Sequence, residues 1–193
     1  MALADDLGMG EGDVHAQARE VLGFWFALTP EQHFARSEPL DAEIGERFGM
    51  LRDAVLASGA AEWRENADAL LAAIILLDQF SRNMHRGTAG AFAADGLALE
   101  LTLEAIGKGW DADMSKERLQ FLYMPLMHSE GREMQQLSVE KFGAMGDADI
   151  LEFAKSHAEV IVRFGRFPSR NAALGRESTS EEIEYLSQPG AGW

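Results

Sequence analysis

Residues 69–87 read Ala-Leu-Leu-Ala-Ala-Ile-Ile-Leu-Leu-Asp-Gln-Phe-Ser-Arg-Asn-Met-His-Arg-Gly. The first nine form the longest apolar run in the chain, about half of the roughly 18–20 residues that a membrane span requires. A segment that is apolar nearly all round a helix predicts a core helix enclosed by other helices. The residues that follow, Asp78 to Arg86, combine carboxylate, amide, guanidinium and imidazole groups. A buried helix that ends in such chemistry predicts a functional site at this end.

Apolar residues recur at helical spacing on both sides of this run. The spacing predicts further helices at about residues 14–25, 41–57, 96–106, 115–125, 131–144 and 149–164, with a short last one after Thr179. Thr179 and Glu182 have the separation of a capping box, and Pro125 is expected to kink or break its helix. No segment alternates with period two for long enough to be a strand. The sequence therefore predicts an all-α protein of about 8–9 helices, which short loops would join into antiparallel pairs.

The length of 193 residues predicts one domain with a core of its own. Residues 1–13 contain Asp and Glu but no Lys or Arg, so we expect a disordered acidic tail there. They also lack the basic start and apolar centre of a secretory signal. Asp13 is expected to cap the first helix, and residues 14–193 are expected to form a single all-helical domain.

The composition excludes several classes of partner and site. The formal charge of −15 would repel nucleic acid and anionic membrane surfaces, so we expect neither as a partner. The absence of cysteine removes disulfides, thiolate metal sites and thiol nucleophiles, and it is compatible with a cytoplasmic protein. The chain has no His-Glu-x-x-His motif and no phosphate-binding loop, and we predict neither a metal nor a cofactor. The oligomeric state stays open.

A second polar stretch near the C-terminus, residues 163–179, repeats the layout of the first. Each contains Phe, an Arg-Asn pair, a Gly/Arg pair and then a hydroxyl residue. Arg163, Arg166, Arg170 and Arg176 fall within fourteen residues that contain no Asp or Glu. Arginine presents paired N–H groups that match a carboxylate or phosphate, and asparagine can donate beside it. An island of arginines in an acidic protein therefore predicts an anion-binding site.

A third segment, residues 123–130, places His128 and Glu130 shortly after Pro125. On one interpretation His128 is a general base that Glu130 or Asp78 orients. The alternative is structural: the histidine would cap a helix end, and the arginines would pair with carboxylates and helix C-termini to hold the loops in place. The two interpretations differ in whether a cavity lies between these side chains.

In these motifs the chain resembles the bacterial family catalogued as domain of unknown function 924, whose members look like tetratricopeptide-like helical folds. The resemblance extends from about Val21 to Gly190 and rests on residues 21–26, 76–83, 86–88, 91–95, 123–130 and 163–171. Ser81 stands where proline is common in the family, and Gly131 follows the His128 motif; neither departure changes a candidate functional group. The resemblance implies a right-handed tetratricopeptide-like array of helices but no established activity, so the function must be argued from the site.

We predict that the three polar segments form a concave pocket that binds a small anionic metabolite with a phosphate or carboxylate group. The residues expected to bind this ligand are Gln79, Arg82, Asn83, Arg86, Arg166, Arg170 and Asn171. Asp78, His128 and Glu130 are candidates for proton transfer, so acid–base or hydrolytic chemistry is the reaction class to test, and whether the protein is an enzyme stays open. The alternative function is a protein-interaction module whose groove holds an acidic or C-terminal peptide of a partner.

Overall fold

The computed structural model describes residues 11–191. Its helices are α1 (Glu11–Trp25), α2 (Pro30–Phe34), α3 (Glu38–Ala57), α4 (Ala67–Ile74), a π-helical turn (Ile75–Phe80), α5 (Ser81–Met84), α6 (Asp95–Gly107), α7 (Lys116–His128), α8 (Arg132–Ala144), α9 (Ala148–Phe164) and α10 (Ser180–Leu186). Short 3₁₀ turns occur at Ala61–Trp63, Ala89–Phe92 and Pro168–Arg170. The described residues contain no strand, so the prediction of an all-α single domain is confirmed.

The apolar run forms the centre of the protein. α4, the π-helical turn and α5 make one continuous helix, which we call the central helix (residues 67–84). Asn66 begins it, because its side chain accepts a hydrogen bond from the Ala69 N–H. Every residue from Ala69 to Leu77 is at most 1% exposed. The central helix contacts α1, α3, α6 and α7, which together enclose it.

Aromatic side chains fill the core beside the end of the apolar run. The Phe80 ring packs against Trp25, Phe24 and Phe48 at centroid distances of 5.5, 6.0 and 5.0 Å. Trp25 also contacts Phe121 of α7 at 5.3 Å. Tilted and edge-to-face pairs of this kind stabilise a core beyond the effect of buried area alone. They fix the orientation of the central helix just before its polar end begins.

The N-terminal bounds differ from the predicted ones. Residues 1–10 of the predicted acidic tail lie outside the described residues, and α1 begins at Glu11, so Asp13 lies inside the helix and does not cap it. α3 begins at Glu38, three residues earlier than predicted, because the Ser37 side chain accepts a hydrogen bond from the Leu40 N–H.

Helix α7 continues through Pro125 to His128, so the proline does not break it. The helix is buried between neighbours, and the Thr102 hydroxyl of α6 donates to the Leu122 carbonyl at 2.9 Å, close to the proline. Pro125 lacks the N–H that would donate to the Phe121 carbonyl, and packing between neighbouring helices keeps α7 helical through this position. Within the described residues no helix combines the length and the apolar character that crossing a membrane requires.

Candidate functional site

The polar end of the central helix forms one wall of a cavity of about 490 Å³. Gln79, Arg82, Asn83 and Arg86 line this cavity; the first three lie on one face of the central helix, and Arg86 lies just beyond its end at Met84. The π-helical turn, Ile75–Phe80, includes the first of them. Such turns interrupt regular helix geometry and occur often at functional sites. The local geometry therefore agrees with a site at this end of the helix.

Two other segments complete the wall of the cavity. His128 contributes from the end of α7. Arg170 contributes from the 3₁₀ turn after α9, and it donates to the His128 carbonyl at 2.8 Å. Gly165 makes this arrangement possible, because its left-handed conformation (φ 69°) ends α9 and redirects the chain. Three polar segments that are far apart in the sequence therefore meet at one cavity.

Asp78 and His128 form a hydrogen-bonded pair at the wall of the cavity. His128 Nδ1 lies 2.8 Å from Asp78 Oδ1, and Arg82 Nη1 lies 3.0 Å from the same oxygen. The Asp78 side chain is fully buried, and Gln79 donates to its other oxygen. Because an ionised carboxylate only accepts, His128 carries its proton on Nδ1 and keeps a lone pair on Nε2. This is the geometry of a general base that a buried carboxylate orients.

Burial and charge set the protonation states of this pair. Burial alone would raise the pKa of Asp78, but the charge of Arg82 and the hydrogen bonds from His128 and Gln79 lower it below its usual value. Burial lowers the pKa of His128, and the charge of Arg82 lowers it further against the opposing charge of Asp78. Near pH 7 the aspartate is therefore ionised and the histidine neutral, which are the states that proton acceptance at Nε2 requires.

Asp95, the first residue of α6, joins the guanidinium groups of Arg82 and Arg170. Arg82 donates to the two carboxylate oxygens at 2.9 and 3.1 Å, and Arg170 donates to one of them at 3.2 Å. The Arg170 guanidinium also lies 4.8 Å from the centroid of the Phe92 ring and 4.5 Å from that of Phe167. Shared carboxylate bonds and ring contacts fix both side chains in position.

Asp41 of α3 binds the side chains of Asn83 and Arg86, as Asp95 binds those of Arg82 and Arg170. Arg86 donates to its two carboxylate oxygens, both at 2.9 Å. Asn83 donates to one of these oxygens at 2.7 Å. Burial alone would raise the pKa of Asp41, but the hydrogen bonds from Arg86 and Asn83 lower it, so this carboxylate is ionised. Both polar side chains are therefore held by a residue from another helix.

Carboxylates match or exceed the arginines at the cavity wall. Its arginines and the aspartates that bind them are Arg82, Arg86, Arg170, Asp41, Asp78 and Asp95. Asp149 also lines the cavity, so carboxylates outnumber guanidinium groups, and the wall offers N–H donors in fixed positions without an excess of positive charge. Such a wall is suited to directed hydrogen bonds more than to attraction by net charge.

Glu130, Arg166 and Asn171 lie outside the cavity wall. The carboxylate of Glu130 accepts from Arg176 at 2.9 and 3.0 Å. Arg166 donates to both oxygens of Glu182 at 2.7 and 2.8 Å. Asn171 is 1% exposed and donates to the same carboxylate. The structure thus places these predicted site residues in contacts that hold the C-terminal segment together.

Acids from other parts of the chain bind the island of arginines. The pairs are Arg163–Glu181, Arg166–Glu182, Arg170–Asp95 and Arg176–Glu130. Asp95 is 75 residues from its partner in the sequence, and Glu130 is 46 residues from its own. The segment that contains these arginines has no acidic residues of its own, but the fold brings acidic residues from other segments into contact with it. Of these four arginines, Arg170 lines the cavity.

Several polar residues of the site gave no functional signal in the sequence, among them Asp41, Asp95 and His157. The two aspartates stand at the starts of helical patterns, where aspartate is common for reasons of helix capping alone. His157 has the spacing of an inward residue of α9, and its Nδ1 donates to the Phe153 carbonyl at 2.8 Å. Within residues 11–191 no three His, Asp or Glu side chains gather as ligands for a metal ion.

The remaining wall of the cavity is largely apolar. Its apolar side chains from α2, α7 and α9 are Phe34, Met124, Met127, Ile150 and Phe153, and the same helices add the polar side chains of His33, Gln120 and Asp149. Met124 and Met127 are 7% and 5% exposed, whereas Phe34 and Phe153 are 59% and 60% exposed. The methionines therefore belong to the interior of the cavity and the phenylalanines to its mouth.

The fold and the cavity define a single-domain all-α protein with a partly polar pocket between its helices. The family model described as bacterial protein of unknown function (DUF924) matches residues 21–190, and the chain belongs to this family. The resemblance inferred from the motifs is thereby confirmed. A solved structure of a protein of unknown function from Agrobacterium tumefaciens is 36% identical to the chain and superposes with a TM-score of 0.88; the match covers 92% of this chain and 100% of that one. None of the curated proteins compared with the chain matches it.

Proposed function

We propose that the cavity binds a small organic molecule through an anionic group, a carboxylate or a phosphate. The observation that carries the proposal is the convergence of three distant segments, represented by Arg82, His128 and Arg170, on one cavity. Arginines that served only to hold loops would need no cavity between them. Here they line one while carboxylates keep them in position.

Arginines fixed in this way suit anion binding. Arg86 uses two N–H groups in its bonds to Asp41, and Arg170 uses two in its bonds to Asp95 and the His128 carbonyl. A guanidinium group carries five N–H groups, so donors remain for a ligand. Because the side chains are already ordered, binding does not incur the entropy loss of immobilising them.

We propose in addition that His128 accepts a proton from the bound molecule or from a water molecule beside it. Asp78 holds the ring by Nδ1 and would stabilise the imidazolium that forms when Nε2 is protonated. Arg82 supports this role, because its charge keeps Asp78 ionised. Acid–base or hydrolytic chemistry on a carboxylated or phosphorylated compound is the reaction class that this pair serves.

A thermal-shift panel of carboxylates and phosphate esters at fixed ionic strength tests the binding proposal. A ligand at about 100 times its Kd stabilises a protein by about 2.7 kcal/mol. In a chain of this size that stabilisation raises Tm by roughly 5–10 °C. The proposal fails if no member of the panel raises Tm.

Two variants from the same island of arginines localise the binding. Arg170→Gln should weaken binding about tenfold or more, because it removes charged donors from the cavity wall. Arg163→Gln is the matched control, since Arg163 bonds Glu181 at an exposed position outside the wall. Equal binding by both variants would contradict the proposed site. Binding of an acidic peptide without binding of any small anion would favour the peptide-interaction function instead.

The tetratricopeptide-like arrangement of the helices and the cytoplasmic location of the protein stay predictions. The tetratricopeptide-like arrangement is supported by the family's expected fold and by the packing of α6 on α7, α7 on α8 and α8 on α9. A cytoplasmic location is compatible with a chain that contains no cysteine.

A further inference from the structure

The cavity is larger than an inorganic anion or a two-carbon acid needs. Its volume is about 490 Å³, whereas one water molecule takes up about 30 Å³ of liquid. Pockets of roughly 300–1,000 Å³ typically enclose organic ligands of drug size. An anion bound to Arg82 and Arg170 alone would leave most of the space to water in contact with apolar side chains. The size therefore points to a ligand with a body as well as a charged group.

The side chains away from the arginines show what kind of body fits. Met124 and Met127 line the interior, and methionine adapts its shape to apolar ligands. Phe34 and Phe153 line the mouth and keep 59% and 60% of their surface exposed. These two rings belong to helices far apart in the sequence, α2 and α9, yet both present apolar surface to one cavity. An apolar ligand body would remove this surface from water.

The charges around the cavity favour a carboxylate over a phosphate as the anionic group of the ligand. The cavity arginines are matched by Asp41, Asp78 and Asp95, Asp149 adds a further carboxylate to the lining, and the protein as a whole carries −15. A doubly charged phosphate would meet more repulsion here than a singly charged group does. A carboxylate carries one charge and matches the planar pair of donors of a guanidinium group.

We propose that the ligand is an amphipathic monocarboxylic acid, with its carboxylate at Arg82, Arg86 and Arg170 and an apolar body of several carbons between the methionines and the two exposed phenylalanines. This inference rests on the proposed function and makes it specific. It predicts that affinity depends on the length of the apolar body, which a site for small polar metabolites would not show.

Titration calorimetry with acetate, butanoate, hexanoate and octanoate, at equal ionic strength and below micelle formation, measures this dependence. Each added methylene should tighten binding about fourfold, the factor that corresponds to about 0.8 kcal/mol of apolar burial. Hexanoate should bind more tightly than either hexanol, which lacks the charge, or hexyl phosphate, which carries more of it. Equal affinity along the carboxylate series, or hexyl phosphate as the tighter ligand, would overturn the inference.

Variants at the mouth separate this inference from the proposed function. Phe153→Ser should reduce the gain per methylene between butanoate and octanoate. Val162→Ser is the matched control, because Val162 is an exposed apolar residue of the same helix, 67% exposed and outside the cavity wall. Both positions are on the surface, so both variants should fold, which circular dichroism checks. An unchanged chain-length dependence in Phe153→Ser overturns the inference.

The outcomes for the two proposals are distinguishable. If short and long acids bind with equal affinity and Arg170→Gln loses this binding, the proposed function is supported. The proposal of an amphipathic ligand is then overturned. Failure of every carboxylate and every phosphate ester to bind overturns both. If affinity rises with the length of the acid and binding is lost in Arg170→Gln, both proposals are supported.

Discussion

Of the three histidines that line the cavity, His128 and His157 lie in different electrostatic settings. His128 Nδ1 bonds the ionised carboxylate of Asp78, whereas His157 Nδ1 donates to the Phe153 carbonyl. A carboxylate stabilises an imidazolium ring, and a neutral carbonyl does so much less. Burial lowers the pKa of His157 to about 3, with the nearby charge of Arg170 and Arg82 and of His128 when protonated acting in the same direction. Of these two, His128 is therefore the histidine suited to proton exchange. His157 stays neutral near pH 7 and contributes an uncharged side chain to the cavity wall.

The neutral state of His157 makes the stability of the fold depend on pH. Its pKa of about 3 in the folded protein lies below the value of about 6.5 in an unfolded chain. The unfolded state then binds more protons, so the free energy of unfolding falls as the pH drops below about 6.5 and is fully retained above it. The loss should reach about 1.4 kcal/mol per pH unit for one such group. Urea unfolding between about pH 7.5 and pH 5 measures the slope while most carboxylates remain ionised.

A substitution assigns this slope to the residue. His157→Gln should reduce the dependence of unfolding free energy on pH, because glutamine does not titrate. His15→Gln is the control, since His15 is exposed on α1. A slope that is the same in wild type and in His157→Gln would show that other groups cause it.

At the scale of the helix, the sequence predicts what depends on local periodicity and fails where distant residues meet. The run from Ala69 to Leu77 predicts a buried helix, and the polar residues that follow it predict a site at its end, because both features are read from neighbouring residues of the chain. The residues that bind these polar side chains cannot be predicted from such local features. Asp95 reaches Arg170 across 75 residues, and no local pattern encodes such a contact.

The same limit explains the residues placed differently by the sequence and by the structure. Glu130 follows His128 closely in the chain, which suggested a shared role in proton transfer. α7 ends between them, at His128, and Glu130 instead accepts from Arg176 at 2.9 Å. Fully buried Asp78, one turn before Arg82 on the central helix, is the residue that orients the histidine. Closeness in the sequence therefore does not identify the partner of His128, which lies on another helix, 50 residues away in the chain.

The left-handed turn at Gly165 gives a prediction about one element. This glycine has φ 69° and ends α9 just before the segment that delivers Arg170 to the cavity. A Cβ added there would meet no atom within 4 Å, so Gly165→Ala tests the backbone conformation alone. It should lower the free energy of unfolding by about 1–2 kcal/mol, the cost of a left-handed conformation in a residue with a side chain.

A second glycine with equal space provides the control. Gly23 lies inside α1, and a Cβ added there also meets no atom within 4 Å. Gly23→Ala should stabilise the protein by about 0.5–1 kcal/mol, because alanine loses less conformational freedom in a helix. Opposite signs for the two substitutions in denaturant unfolding are expected. Stabilisation by both would show that the turn at Gly165 is not strained for alanine.

At the scale of the whole molecule, the chain has many more acids than bases. It contains 17 Lys and Arg against 32 Asp and Glu, and many of the arginines bind carboxylates. The remaining acids have too few cations to compensate them, so their mutual repulsion opposes the compact state. The ion pairs that include exposed side chains, such as Arg47 with Glu43, are worth only about 0–1 kcal/mol each. Repulsion should therefore outweigh the exposed pairs in the response to salt.

We predict that Tm rises when NaCl is raised from about 10 mM to about 150 mM, because the screening length falls from about 30 Å to about 8 Å and weakens repulsion over the whole surface. Glu46→Lys combined with Glu140→Lys tests the cause, since both residues are exposed and each substitution replaces a negative charge with a positive one. The double variant should be more stable than wild type at low salt and should gain less from added salt. Scanning calorimetry at several ionic strengths measures both effects. A Tm that falls with salt would mean that attractive pairs, and not the excess of acids, dominate the electrostatics of the fold.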